Sequence, residues 1–114
     1  MHIDSYHFGT IIIDGSEYTS DCILIGEKVY PDWWRKSGHL LYLEDLDLII
    51  QAKPVTLIIG TGSAGAMKVP KSVLEQLEQY PIQTEVFKTS EAVERFNELS
   101  KIQDDAAAAF HLTC

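Results

Sequence analysis

Basic residues are scarce in this chain: nine lysines and arginines stand against 17 aspartates and glutamates, a formal net charge of −8. The nine are scattered, so no basic stripe is available to neutralise phosphates along a nucleic acid, and nucleic-acid binding is disfavoured. Cysteine is scarcer still. Cys22 and Cys114 stand alone, too few for the dense cross-linking of small secreted domains, and reduced thiols are expected. Long apolar runs are missing as well. Stretches such as Val55 to Ile59 fall far short of the roughly 20 residues that a membrane-spanning helix needs, which argues against membrane insertion. Met1 to Phe8 lacks the basic start and apolar core of a secretory signal, so the expected location is cytoplasmic. There is no internal repeat and no low-complexity tract, and 114 residues can build one core but not two. One domain spanning residues 1–114 is expected.

The first third carries β-branched segments at Ile3 to Phe8, Thr10 to Ile13 and Tyr18 to Ile25, divided by Gly9, Asp14-Gly15 and Gly26; this predicts an antiparallel β-meander. A surface loop is expected across Asp32-Trp33-Trp34-Arg35-Lys36-Ser37-Gly38. Leu43, Leu46, Ile49 and Ile50 then recur at helical spacing until Lys53-Pro54. Val55 to Ile59 has the unbroken apolar character of a strand covered on both faces and is expected at the centre of the sheet. Pro70 suits the first turn of a helix with Val73, Leu74 and Leu77 on its buried face. A strand from Gln83 to Lys88 follows, then a helix capped by Thr89 or Ser90, with Ala92, Val93, Phe96 and Leu99 inward, ending near Lys101. Strand, helix, strand, helix in this order implies a parallel crossover. The tail is ambiguous: Ala106 to Ala109 favour helix, whereas Phe110 to Thr113 suit a strand.

Gly60-Thr61-Gly62-Ser63-Ala64-Gly65 matches G-x-G-x-x-G directly after a strand. A dinucleotide site would need a helix starting within the loop, but Ala66 to Val69 precede Pro70, which sets the helix dipole away from the glycines. A phosphate loop would need Lys then Ser or Thr where Ala66 and Met67 stand. The bland alternative is a glycine turn that carries the chain off a buried strand. Between these lies a shallow anion site, formed by Gly60, Thr61, Gly62 and Ser63 beside Thr89 and Ser90 at the carboxyl ends of parallel strands, with Lys68 near. His111 with Cys114 makes half a metal site, or a base and nucleophile without an orienting group, so no metal site and no catalytic set is assigned. Trp33, Trp34 and Arg35 are residue types enriched at protein interfaces, though one indole could instead close the core. Glu44, Asp45 and Asp47 at a helix start are explained by the helix dipole.

Several markers taken together extend over nearly the whole chain: Tyr6-His7-Phe8-Gly9, Asp14-Gly15, Trp33-Trp34, Gly60-Thr61-Gly62, Thr89, Ala92, Phe96-Asn97, Leu99 and the ending Ala107 to Cys114. In these the sequence resembles the Mth-type small-domain family. Its members include an assembly factor of mitochondrial respiratory complex I and an adipogenesis-associated cytoplasmic protein of vertebrates. The resemblance implies a three-layer α/β fold: a mixed central sheet, a parallel βαβ core, an N-terminal meander and a C-terminal strand formed by the alanine-rich tail. Gln103-Asp104-Asp105 departs from the Gly and Arg usual there, and no catalytic residues carry over. The leading expectation is a non-catalytic protein-interaction or assembly module with no cofactor. The alternative is a small-molecule or anion-binding enzyme using Gly60 to Ser63 and Thr89.

Overall fold

A computed structural model describes all of residues 1–114. Strands β1 (Ile3–His7), β2 (Thr10–Ile13) and β3 (Ser16–Tyr18) form an antiparallel three-stranded sheet. Asp14 and Gly15, with φ of 48° and 81°, make the two-residue turn between β2 and β3, whose primed geometry calls for positive φ. The predicted third meander segment is divided. After β3 the chain leaves this sheet at Thr19–Asp21, and β4 (Cys22–Ile25) joins a second one, because the Ser20 and Asp21 side chains bind remote groups instead of continuing a ladder.

The second sheet has five strands: β4, β5 (Lys28–Tyr30), β6 (Thr56–Thr61), β7 (Gln83–Phe87) and β8 (Ala106–His111), in the order β5-β4-β8-β6-β7. β6 is parallel to both β7 and β8, while β4 and β8 are antiparallel. The fold is thus the expected mixed α/β sheet with a parallel core. The middle strand, however, is the alanine-rich β8 and not the Val55–Ile59 segment. Val55 lies outside β6 and is exposed, and β6 runs on through Gly60 and Thr61. Helical propensity in Ala106–Ala109 yields to position: between β4 and β6, a strand covered on both faces accepts small side chains, and all six β8 residues are buried.

Side chains alternate across this sheet and divide the core in two. Leu24, Ile58, Ala108 and Phe110 face the three-stranded sheet and helix α3 (Thr89–Ser100), while Ile23, Leu57, Ile59, Ala107 and Ala109 face helices α1 (Asp47–Ala52) and α2 (Lys71–Glu78). A 3₁₀ turn at Leu43–Leu46 precedes α1, which stops when Lys53 turns left-handed, at φ 53°. Pro70 stands just before α2, whose buried residues are Val73 and Leu77. In α3, Ala92, Val93, Phe96 and Leu99 are buried as the spacing predicts. Its expected cap differs: Lys88 occupies the cap position without a side-chain bond, because the Thr89 hydroxyl is used elsewhere. No helix is long and apolar enough to cross a membrane.

Candidate functional site

The loop after β5 is held at successive residues. Asp32, at φ 58°, donates its amide to Ser20 Oγ at 2.9 Å, and the Trp33 amide donates to the Asp21 carbonyl at 2.9 Å. The Trp33 indole turns inward and donates Nε1–H to the Asp45 carbonyl at 2.8 Å, satisfying the polar edge of a buried ring. Trp34 turns outward and is 87% exposed. The two adjacent indoles therefore divide the roles expected of them: one closes the core and the other forms surface.

Arg35 explains why the loop keeps this shape. Its guanidinium lies 4.7 Å from the Trp33 ring centre and donates from Nη1 to Asp21 Oδ2 at 2.8 Å, with a side chain only 5% exposed. Nη2 reaches His111 Nδ1 at 3.0 Å and the Gly38 carbonyl at 3.4 Å. Asp21 collects the remaining bonds: Oδ1 accepts the Leu112 amide at 2.7 Å, and Oδ2 lies 2.8 Å from His111 Nδ1. A carboxylate can only accept, so Nδ1 carries the proton in that bond, and the approach of Arg35 Nη2 to Nδ1 is a contact between two donors and not a hydrogen bond. Burial pushes the Asp21 carboxyl up. The bonds from His111, the Leu112 amide and Arg35, together with the positive charge His111 can carry, outweigh burial and hold it below the ordinary 3.8. His111 Nε2 and Arg35 Nε are buried without a hydrogen-bond partner.

Asp21 thus supplies the orienting group that His111 lacked in the sequence reading. Oriented imidazoles of this kind can accept a proton. Here Nε2 is enclosed, with the ring edge against Gly62 and the His39 ring centre 6.5 Å away. Cys114 is exposed, and Cys22, next to Asp21, is a buried thiol pushed up to about 12, by burial first and then by the Asp21 charge. On its outer side the cluster backs a cleft of about 370 Å³ lined by Ser20, Asp21, Trp34, Arg35 and Thr113 among others.

The glycine loop lies behind the same histidine. A Cβ on Gly60 would sit 2.8 Å from Thr89 Oγ1 and 2.9 Å from Phe110, and one on Gly62 would fall on the Cys114 backbone and 2.8 Å from the His111 ring. These glycines give the room in which β6, α3 and the tail converge. The Gly62 amide donates to Thr89 Oγ1 at 2.8 Å, and that hydroxyl donates to the His111 carbonyl at 2.6 Å. The Ser63 amide donates to the Thr113 carbonyl and the Ala66 amide to the Cys114 carbonyl. Thr61 Oγ1 donates to the Phe87 carbonyl. Lys68 pairs through its backbone with His39 and Leu41, and its side chain, like that of Ser90, is exposed and makes no hydrogen bond within the chain. Two candidate groups separate in sequence, Trp33 to Arg35 and Gly60 to Ser63 with Thr89, therefore meet through His111. Asp21 was not singled out from the sequence, where it falls inside the expected β segment Tyr18 to Ile25. The signal that could have found it is chemical: a buried His and a buried Arg in an acidic chain call for a carboxylate.

A family described as "Protein of unknown function (DUF498/DUF598)" matches residues 3–111. Among solved structures, a protein named MT938 is 30% identical over 99% of this chain and 98% of its own, with a TM-score of 0.81. A conserved hypothetical protein from Pyrococcus horikoshii OT3 is 23% identical over the full length of both chains, with a TM-score of 0.83. A Bartonella henselae protein described as an outer membrane protein is 22% identical over 98% of this chain and 94% of its own, with a TM-score of 0.82.

Proposed function

Because the chain belongs to the DUF498/DUF598 family of Mth938-type α/β domains, whose description carries no activity, we propose a role from its own surface: a non-catalytic protein-interaction module that docks through Trp34, with the buried Trp33 and Arg35 holding its loop in place. The observation that carries this reading is Trp34, 87% exposed on a loop fixed by a buried ion pair and a buried neighbouring indole. Rigid exposed tryptophans suit the centres of interfaces, since binding then orders little that was mobile. Work as an assembly factor, by analogy with the relatives the sequence resembles, is the biological form of this proposal, and free thiols at Cys22 and Cys114 agree with a cytoplasmic setting.

Cross-linking in cells followed by mass spectrometry tests it with two variants at exposed apolar sites, Trp34→Ala and Ile102→Ala. A specific protein recovered with wild type and Ile102→Ala, but not with Trp34→Ala, supports the module. Equal recovery from all three would reject it.

The alternative, a small-molecule or anion-binding enzyme using Gly60, Thr61, Gly62 and Ser63 with Thr89, Ser90 and Lys68, is favoured by one observation: His111 Nε2 is unpartnered beside Gly62. Amide chemical shifts followed during titration with phosphate, nucleotides or carboxylates at millimolar concentration test it. If Gly62 and Ser63 remain unmoved, that reading fails.

A further inference from the structure

The Trp33–Trp34 loop has a second side. Between it and the start of α1 runs a groove of about 280 Å³ whose apolar lining is Ile23, Tyr30, Pro31, Trp33, Trp34 and Leu48. Trp34 and Leu48 are 87% and 44% exposed. Asp32, Glu44, Asp45 and Asp47 line the same groove, and they are not equally satisfied. Glu44 is paired with Lys36. Asp45 accepts the amides of Tyr42 and Lys36. The neighbouring Arg35 is committed to Asp21, and no cation of the chain lies within ion-pair distance of Asp32 or Asp47.

We propose that this groove receives a basic segment of a different protein, one in which lysine or arginine flanks an apolar residue. The inference rests on the interaction reading above and adds the chemistry of the partner. An apolar residue has the exposed faces of Trp34 and Leu48 to cover. A cation beside it finds Asp32 or Asp47 and the open face of an indole, which attracts positive charge through its quadrupole. An acidic or neutral segment would instead strip water from two carboxylates without replacing it, which selects against such partners. A second copy of this chain is disfavoured on the same ground, since each copy carries a net charge of −8. Asp32 and Asp47 are themselves exposed and pair with no cation, so charge variants at these two positions leave the fold intact.

The test uses two synthetic peptides of equal length and leucine content, one bearing lysines and the other glutamates, titrated into the full chain while amide and indole signals are followed. The lysine peptide is expected to shift the Trp34 indole and the Leu48 amide, and the glutamate peptide to shift neither. The Asp32→Asn/Asp47→Asn double variant is expected to weaken the lysine peptide at least about ten-fold, the scale of desolvated charge pairs. Equal response to both peptides, no response to the lysine peptide, or an unchanged affinity in the double variant would overturn the inference. The two readings fail separately: a partner recovered through Trp34 whose cross-linked segment has no lysine or arginine overturns the basic segment alone, whereas recovery indifferent to Trp34 overturns both.

Discussion

Arg35 and Asp21 lie 14 residues apart in sequence and 2.8 Å apart in space, their side chains 5% and 18% exposed. Breaking a buried ion pair from one side costs more than the pair itself contributes, because the partner charge is left behind. Arg35→Met, which retains much of the packing on Trp33, is expected to lower stability by about 2–4 kcal/mol, a fall in Tm of roughly 8–16 °C for a chain of this size. Urea and thermal unfolding followed by circular dichroism measure it. The Arg35→Met/Asp21→Asn double variant is expected to recover part of the loss, since it removes both charges.

Acid should weaken the same cluster. The Asp21 carboxyl is held below the ordinary 3.8 in the fold, so the unfolded chain takes up that proton at higher pH than the folded one does. The resulting stability is present above about pH 4 and is lost as pH falls through the folded value. The stability difference between wild type and Asp21→Asn is therefore expected to stay level from neutral pH to about pH 5 and to shrink below about pH 4. Unfolding free energies measured across that range check the sign.

Much of the frame was legible in the sequence, because it is written locally. The apolar run around Leu57–Ile59, the stripes of α2 and α3, and the Asp14-Gly15 turn depend on neighbours within a few residues. The tail was not legible from propensity, because Ala106–Ala109 become a strand only when β4 and β6 flank them. The candidate site divides in the same way. Trp33, Trp34, Arg35, the glycine loop and Thr89 announce themselves by residue type or spacing. Asp21 does not, because its role depends on Arg35 and on His111, which lies 90 residues away.

Thr89 is the joint between the glycine loop and β8, and its hydroxyl both accepts and donates. Thr89→Val keeps the shape but leaves the Gly62 amide and the His111 carbonyl buried without this partner, an expected cost of about 2 kcal/mol. Thr89→Ser should retain most of the stability. Hydrogen exchange at the Gly62 amide reads the difference directly, with faster exchange in Val than in Ser.

Glycine positions separate close packing from mere flexibility. Gly62→Ala places a methyl against the Cys114 backbone at φ 107°, whereas Gly38→Ala meets nothing within 4 Å. The first is expected to cost more than about 2 kcal/mol; the second should be nearly silent in the same unfolding assay. A silent Gly62→Ala would mean that the tail does not lie against the loop.

The two thiols should differ as sharply. Cys22 is buried, with a thiol pushed up to about 12, while Cys114 is exposed. Alkylation of the native protein is expected at Cys114 alone, with Cys22 reacting only after denaturation, since the thiolate is the reactive form. Intact mass before and after adding guanidinium counts the labels.

The sheet order β5-β4-β8-β6-β7 also governs when the protein can be finished. β4 and β6 are joined only through β8, and β8 is translated after every other strand. A chain emerging from the ribosome can form its β1–β3 hairpins and its β6-α2-β7 unit early. Until residue 111 has cleared the exit tunnel, it carries the flanks of β4 and β6 as open edges, the kind of surface on which stray pairing begins. The interval between residue 61 and residue 111 is thus the stretch of synthesis in which a chaperone would matter most to this fold.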